Sequence, residues 1–191
     1  MSVAIIKYNA GNIYSVVNAL GRLGVEPVIT DSPEELAKAS HVIFPGQGSA
    51  QTTMRYLRQH GLDNVIRSLR QPVLGICVGQ QLLCAHSDEG DVDCVGIFPE
   101  NVRKFTPDDH ELKVPEMGWN RLRDIKSPLF KGVKEGDYVY FVHSFYVPTC
   151  EFTIATADYS VPYSAALRRD NFWAVQFHPE KSGAVGELIL R

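Results

Sequence analysis

Gly75-Ile76-Cys77-Val78-Gly79 follows the apolar run Pro72-Val73-Leu74 and leads into Gln80-Gln81-Leu82-Leu83-Cys84-Ala85, a segment with the look of a helix. A cysteine with a glycine two residues to either side, set between a strand and a helix, is the thiol counterpart of the G-x-S-x-G nucleophile elbow. Such a turn tolerates only small neighbours, because a Cβ there would strike the adjoining strand or helix. It presents the sulfur to solvent at the end of a sheet. The sulfur also sits at a helix N-terminus, where unpaired N–H groups lower a thiol pKa and receive a developing oxyanion.

Working outward, the first half of the chain alternates strands and helices. Strands are expected at Val3–Lys7, Val25–Ile29, His41–Phe44 and around Val73. A helix starts at Asn12 and runs through Val16, Val17 and Leu20 to near Gly24. Ser32-Pro33-Glu34-Glu35 reads as a capping box opening a short helix, with serine at N-cap, proline at N1 and glutamate at N3. Residues from about 50 to 70 read as helix, broken near Gly61. This rhythm predicts an α/β fold, a mostly parallel sheet flanked by helices, whose active site lies at the carboxyl ends of the strands. Gly46, Cys77 and His178 each follow an apolar run, so all three are expected at that edge. The second half adds strands: Val95–Phe98, Val102–Phe105, Trp119–Ile125, Tyr138–Val147, Phe152–Ala157, Ala165–Arg168 and Phe172–Phe177, with a turn at Arg169-Asp170-Asn171 and a closing helix from Gly183.

Bulk properties bound the function. The 191 residues are 45% hydrophobic and 21% charged, a length and composition that suit one globular domain over residues 1–191. A net charge of -3 with no long basic run argues against nucleic acid or an anionic membrane as the main partner. The N-terminal Met1-Ser2-Val3-Ala4-Ile5-Ile6 is too short and uncharged for a signal peptide, and no apolar run reaches a membrane span. A soluble, cytoplasmic protein is expected. The four cysteines form no C-x-x-C pair, and the six histidines no H-x-x-x-H pattern, so no metal or cofactor is expected. Cys84 and Cys150 read as inert packing residues; only Cys77 has activating neighbours.

Phe177-His178-Pro179-Glu180 supplies those partners. Residues two apart on an extended chain share a face, and Pro179 places the pair just beyond a strand end. His178 is positioned to accept the Cys77 proton, and Glu180 to fix the imidazole tautomer, in the order Cys…His…Glu. Gln81, one helical turn after Cys77, reads either as a group that reaches a substrate held at the sulfur or as an exposed first-turn glutamine. Pro45-Gly46-Gln47-Gly48-Ser49 matches no phosphate-loop pattern and reads as a backbone nest offering an oxyanion N–H beside that of Val78, or as a plain turn. His143, on a face with Val139, Phe141, Phe145 and Val147, reads as buried and hydrogen-bonded rather than as a general base. His41, His60, His86 and His110 lack a useful neighbour, and Asp88-Glu89-Gly90-Asp91-Val92-Asp93 reads as a solvated loop without EF-hand order.

These motifs resemble the class I, triad-type glutamine amidotransferases, a flavodoxin-like α/β family. Tyr8-Asn9-Ala10-Gly11-Asn12-Ile13-Tyr14-Ser15, Pro45-Gly46-Gln47-Gly48, Met117-Gly118-Trp119-Asn120, Tyr140-Phe141-Val142-His143-Ser144 and Phe177-His178-Pro179-Glu180-Lys181-Ser182 are similar, in order and along nearly the whole chain, to the glutaminase subunits of imidazole glycerol phosphate synthases. One position departs: many relatives have a small apolar residue where this chain has Gln47.

The resemblance implies that Cys77, activated by His178 and Glu180, attacks the amide carbon of glutamine. Ammonia leaves, and water hydrolyses the thioester to glutamate. It implies an oxyanion hole from Val78 and the Gln47–Gly48 segment, and substrate contacts from Gly46, Gln81 and the backbone around Ser144 and Phe145. It also implies a heterodimer with a (β/α)8-barrel cyclase subunit. That partner takes up the ammonia and makes imidazole glycerol phosphate and aminoimidazole carboxamide ribotide in histidine biosynthesis. Asn12, Met117, Trp119, Asn120 and Lys181 would face the partner, with Trp119 either an interface anchor or a half-buried strand residue. Low activity alone and activation through the Gly46–Gly48 loop are expected, since ungated hydrolysis wastes glutamine. The rivals are another synthase of the same fold, for anthranilate, guanylate or pyridoxal phosphate, and a non-enzymatic thiol sensor. The Met117–Asn120 and Asn12 motifs speak against the first, and the His178–Glu180 pair against the second.

Overall fold

A computed structural model of the protein describes residues 2–8, 13–46, 48–108 and 112–191. The described elements are β1 (Val3–Ile6), α1 (Tyr14–Arg22), β2 (Val28–Thr30), α2 (Pro33–Lys38), β3 (His41–Phe44), α3 (Ala50–Gln59), α4 (Leu62–Ser68), β4 (Val73–Ile76), α5 (Val78–Leu82), β5 (His86–Ser87), β6 (Val92–Asp93) and β7 (Asn101–Lys104). They continue with β8 (Glu116–Arg121), β9 (Tyr138–His143), β10 (Phe145–Tyr146), β11 (Thr153–Tyr159), β12 (Val161–Arg169), β13 (Phe172–Val175) and α6 (Gly183–Leu190).

The main sheet has seven strands in the order β11-β12-β13-β4-β3-β1-β2. The run from β2 to β13 is parallel, and β11 and β12 extend it antiparallel. Alternation sorts the apolar side chains to two cores. Ala4, Ile6, Val42 and Phe44 pack with Leu36 of α2, Leu57 of α3 and Ile66 of α4 on one face. Val3, Ile5 and Ile43 pack with Val16 and Leu20 of α1 and Ile189 of α6 on the other. Burial on both faces explains why these strands read as continuous apolar runs. A four-stranded sheet, β10-β7-β5-β6, and the pair β8-β9 complete the fold. Because β3, β4 and β13 are parallel neighbours, their carboxyl ends bring Gly46, Cys77 and His178 to one edge, as the sequence pattern requires.

Several expectations are corrected. Val95–Phe98 is not a strand: the N–H groups of Val95, Gly96, Ile97 and Phe98 donate to Leu82, Cys84, Leu83 and Leu83 carbonyls, satisfying the end of α5 and the turn after it. The strand placed at Trp119–Ile125 begins at Glu116 and ends at Arg121, and the long run Tyr138–Val147 breaks at Ser144 into β9 and β10. Asp88–Asp93 is not simply solvated; β5 and β6 frame it as a hairpin, and the Glu89 carboxylate accepts the Ala50 N–H at 2.7 Å, capping α3. His86 has neighbours after all, Asp91 at 3.2 Å and Asp93 at 3.1 Å. Ser32 caps α2 by accepting the Glu35 N–H, but the Glu35 carboxylate takes the Thr30 hydroxyl instead of closing the box. Asn12, the expected start of α1, and His110 lie outside the described residues. Among those described, no helix is long and apolar enough to cross a membrane.

Candidate active site

Cys77 lies between β4 and α5 with φ 51 and ψ -109, a conformation rare for any residue but glycine. Its N–H donates to the Val175 carbonyl at 2.7 Å, which locks the turn to β13. The glycines around it are required by contact rather than by φ. A Cβ on Gly79 would enter the Phe44 carbonyl oxygen, one on Gly75 would come 2.8 Å from Leu83 Cδ1, and one on Gly46 would enter the Ile76 carbonyl and the Val78 nitrogen. The Gly46 loop therefore lies directly against the first N–H of α5, the group expected to meet an oxyanion. Gly48 follows with φ +100; Gln47 lies outside the described residues.

The sulfur is not presented to solvent as the elbow motif suggests. Cys77 is only 4% exposed, because β9 crosses above it. Its Sγ lies 3.8 Å from the Val142 carbonyl and accepts from Gln176 Nε2 at 3.6 Å. His178 and Glu180 are likewise buried, with Nδ1 2.7 Å from Glu180 Oε1. Pro179–Lys181 forms a 3-10 turn beyond β13, which brings the carboxylate back to the ring. The backbone of this turn is pinned to β9: the His178 N–H donates to the Tyr140 carbonyl at 2.9 Å, and Ser182 Oγ accepts the Tyr140 N–H at 3.0 Å. The His178 pKa is pushed up to about 10: burial lowers it, and the charge and hydrogen bond of the Cys77 sulfur, then Glu180, more than offset this. The other three thiols are held protonated by their surroundings. Burial pushes Cys84 well up, Cys94 up to about 12 and Cys150 up. The arrangement holds one cysteine beside a histidine that retains a proton, which is the charge distribution a thiolate nucleophile needs.

Gln81 is buried, not an exposed first-turn residue. Both hydrogens of its amide are already engaged, by the Phe145 carbonyl and Gln176 Oε1, each at 3.0 Å. Phe145 also accepts from His143 Nδ1 at 2.7 Å, and the Ser144 carbonyl accepts the Phe105 N–H at 3.0 Å. His143 is thus a buried, hydrogen-bonded histidine, as its strand position suggests. Met117 and Trp119 are exposed at 65% and 56% on β8. Tyr140 links Trp119 to the His178–Lys181 turn, meeting the Trp119 ring edge-on at 5.9 Å and lying 5.9 Å from Lys181 Nζ. The Asn120 amide donates to Glu116 Oε1 at 2.8 Å and to the Asp158 carbonyl at 3.0 Å. Sequence reasoning missed Gln176, Glu116 and Tyr163. Gln176 carried a signal, a polar residue inside an apolar run and two before His178.

The fold and this edge-on cysteine define the class. The sequence profile of the glutamine amidotransferase class-I family matches residues 4–189, and the chain belongs to that family. Within it, the chain is 60% identical over 191 residues to the imidazole glycerol phosphate synthase subunit HisH of Bacteroides thetaiotaomicron, covering 100% of this chain and 97% of the relative. The HisH subunit of Escherichia coli K12 is 43% identical over 193 residues, again covering 100% and 97%. A solved glutamine amidotransferase shares the fold with a TM-score of 0.74 at 18% identity and full coverage of both chains. PurLQS from Thermotoga maritima does so at 0.73 and 16%, covering 99% of this chain and 95% of that one.

Proposed function

We propose that the chain hydrolyses glutamine to glutamate and ammonia through a thioester on Cys77. It passes the ammonia to a (β/α)8-barrel cyclase subunit, which makes imidazole glycerol phosphate and aminoimidazole carboxamide ribotide in histidine biosynthesis. The observation that carries this reading is the strained Cys77 beside His178, whose Nδ1 is held 2.7 Å from buried Glu180. The thiolate attacks the side-chain amide carbon, and the amide oxygen becomes an oxyanion facing the Val78 N–H and the Gln47–Gly48 segment. His178 protonates the departing ammonia, and Glu180 stabilises the imidazolium until that step. Water, activated by the neutral imidazole, then attacks the thioester and releases glutamate. Gly46, Gln81, Ser144 and Phe145 frame the amino-acid end of the substrate.

Free ammonia is mostly protonated near neutral pH and is then a poor nucleophile, so handing it to a docked partner keeps it reactive. Exposed Met117 and Trp119, with Lys181 beside Tyr140, are the docking face, and Asn12 belongs to the same region in the sequence resemblance. The names of the HisH relatives, each a subunit of imidazole glycerol phosphate synthase, support the pairing. The gate is the loop from Gly46 to Gly48. The test is glutamate release by the purified chain, alone and with the liganded cyclase subunit. Strong activation is expected; full activity of the isolated chain would overturn the gating, and none in either state would overturn the reading.

A further inference from the structure

A buried polar chain starts beneath the proposed docking strand and ends at the nucleophile. Glu116, the first residue of β8, is 4% exposed and sits with His143 and Tyr163 inside the core that holds Phe105 and Phe141. Tyr163 Oη donates to Glu116 Oε2 at 2.8 Å, Asn120 Nδ2 donates to Oε1 at 2.8 Å, and His143 Nε2 lies 3.0 Å from Oε2. The aromatic rings of Phe105, Phe141 and Tyr163 pack around the imidazole at 5.2–5.6 Å between centroids. The carboxylate is thereby given three partners in an otherwise apolar enclosure, which is what burial of such a group demands.

Hydrogen-bond polarity propagates from this anchor. The Phe145 carbonyl can only accept, so His143 Nδ1, 2.7 Å away, carries a proton. The same oxygen takes Gln81 Nε2 as its second donor. With its nitrogen fixed there, Gln81 has its other hydrogen for Gln176 Oε1 at 3.0 Å, and Gln176 must then turn its Nε2 towards the Cys77 sulfur. Each amide in the series is oriented by the group before it, and the Phe145 carbonyl that starts the series is held in place by His143 Nδ1–H. Glu116 holds the ring from the opposite side.

We propose that His143, braced by Glu116, is a positioning residue of the glutaminase site: its Nδ1–H fixes the Phe145 peptide and the Gln81 amide that receive the amino-acid end of glutamine. The inference rests on the glutaminase reading above. It assigns His143 no contact with substrate and no proton transfer.

Two substitutions separate this from a merely structural role. His143→Asn keeps a donor near the Nδ1 position and loses the Nε2 contact, whereas His143→Gln keeps a group near Nε2 and loses the Phe145 bond. Wild type and the two variants, each bound to the liganded cyclase subunit so that the site is activated, are labelled at Cys77 with 6-diazo-5-oxo-norleucine, a glutamine-shaped reagent, and separately with iodoacetamide, which needs no amino-acid subsite. Loss of one such hydrogen bond predicts about a tenfold weaker saturation constant for the glutamine-shaped reagent in His143→Gln. Its iodoacetamide rate stays within about threefold, because His178 and Glu180 are intact and the Gln176 contact at the far end of the series is a long one, 3.6 Å to sulfur. His143→Asn recovers most of the loss. Equal loss in both variants, parallel loss with iodoacetamide, or unchanged labelling of His143→Gln overturns the inference while leaving the glutaminase reading in place. Wild type that resists the glutamine-shaped reagent but reacts with iodoacetamide overturns both.

Discussion

Replacing Gly79 by alanine tests whether the elbow is built by contact. The added Cβ enters the Phe44 carbonyl oxygen and lies 3.1 Å from its carbon and 3.4 Å from the Pro45 carbonyl. These are backbone atoms at the end of β3, which is hydrogen-bonded on both sides by β1 and β4, so the obstacle cannot turn away as a side chain would. Overpacking of this kind costs about 1–3 kcal/mol, and a backbone obstacle puts the cost near 3. Alanine in place of glycine in α5 offsets about 1 kcal/mol through helix propensity. The net loss is about 2 kcal/mol, which lowers the melting temperature of a domain this size by roughly 4–8 °C. Relief requires α5 to move away from β3, carrying the Val78 N–H with it, and a misplacement approaching 1 Å at a reacting centre costs about a hundredfold in rate. Gly21 is the control. It is exposed in α1 with no atom within 4 Å of a built Cβ, so Gly21→Ala stabilises by about 0.5–1 kcal/mol and leaves turnover unchanged. Thermal unfolding and glutamate release read both variants. A Gly79→Ala protein that melts with wild type and turns over at the wild-type rate would refute the contact argument.

Further outcomes follow from the same geometry. Cys77→Ser lowers glutamine turnover by at least about 10³-fold while partner affinity, measured by titration calorimetry, is retained; residual turnover near wild type would remove Cys77 as nucleophile. Glu180→Gln, which takes the charge from beside His178 Nδ1, lowers turnover by about 10²- to 10⁴-fold and lowers the His178 pKa, read by NMR. In Cys77→Ala the His178 pKa falls well below about 10, because the sulfur supplies two of the influences that raise it against burial; an unchanged titration would contradict that cause. Trp119→Ala weakens partner binding by about 2 kcal/mol, near thirtyfold, with little effect on melting, since the side chain is mostly exposed.

The edge that gathers Gly46, Cys77 and His178 was legible because its constraints are local. Small residues at 75 and 79, an apolar run on either side and a proline between His178 and Glu180 each restrict the backbone within a few residues. Parallel strands also end at a common edge, which places Gly46, Cys77 and His178 together without knowing the strand order. What escaped the sequence depends on contacts between distant segments. Cys77 is covered by Val142, and nothing near position 77 announces β9. Val95–Phe98 has a strand's composition, yet its N–H groups serve the end of α5. Asn120 sits in a motif that resembles an interface strand, and its amide also bonds to the buried Glu116. Of the two readings left open for Gln81, the exposed first-turn one fails, since its partners, Phe145 and Gln176, come from elsewhere in the chain.

Glutamine hydrolysis by this route puts a covalent intermediate on one cysteine of four. Acid quench of the chain during turnover of radiolabelled glutamine, followed by peptide mapping, addresses it most directly. Label is expected on the peptide carrying Cys77 and on neither of those carrying Cys94 or Cys150, with Cys77→Ala abolishing the label even though Cys84 remains. Label that survives Cys77→Ala, or sits on another cysteine, would contradict it.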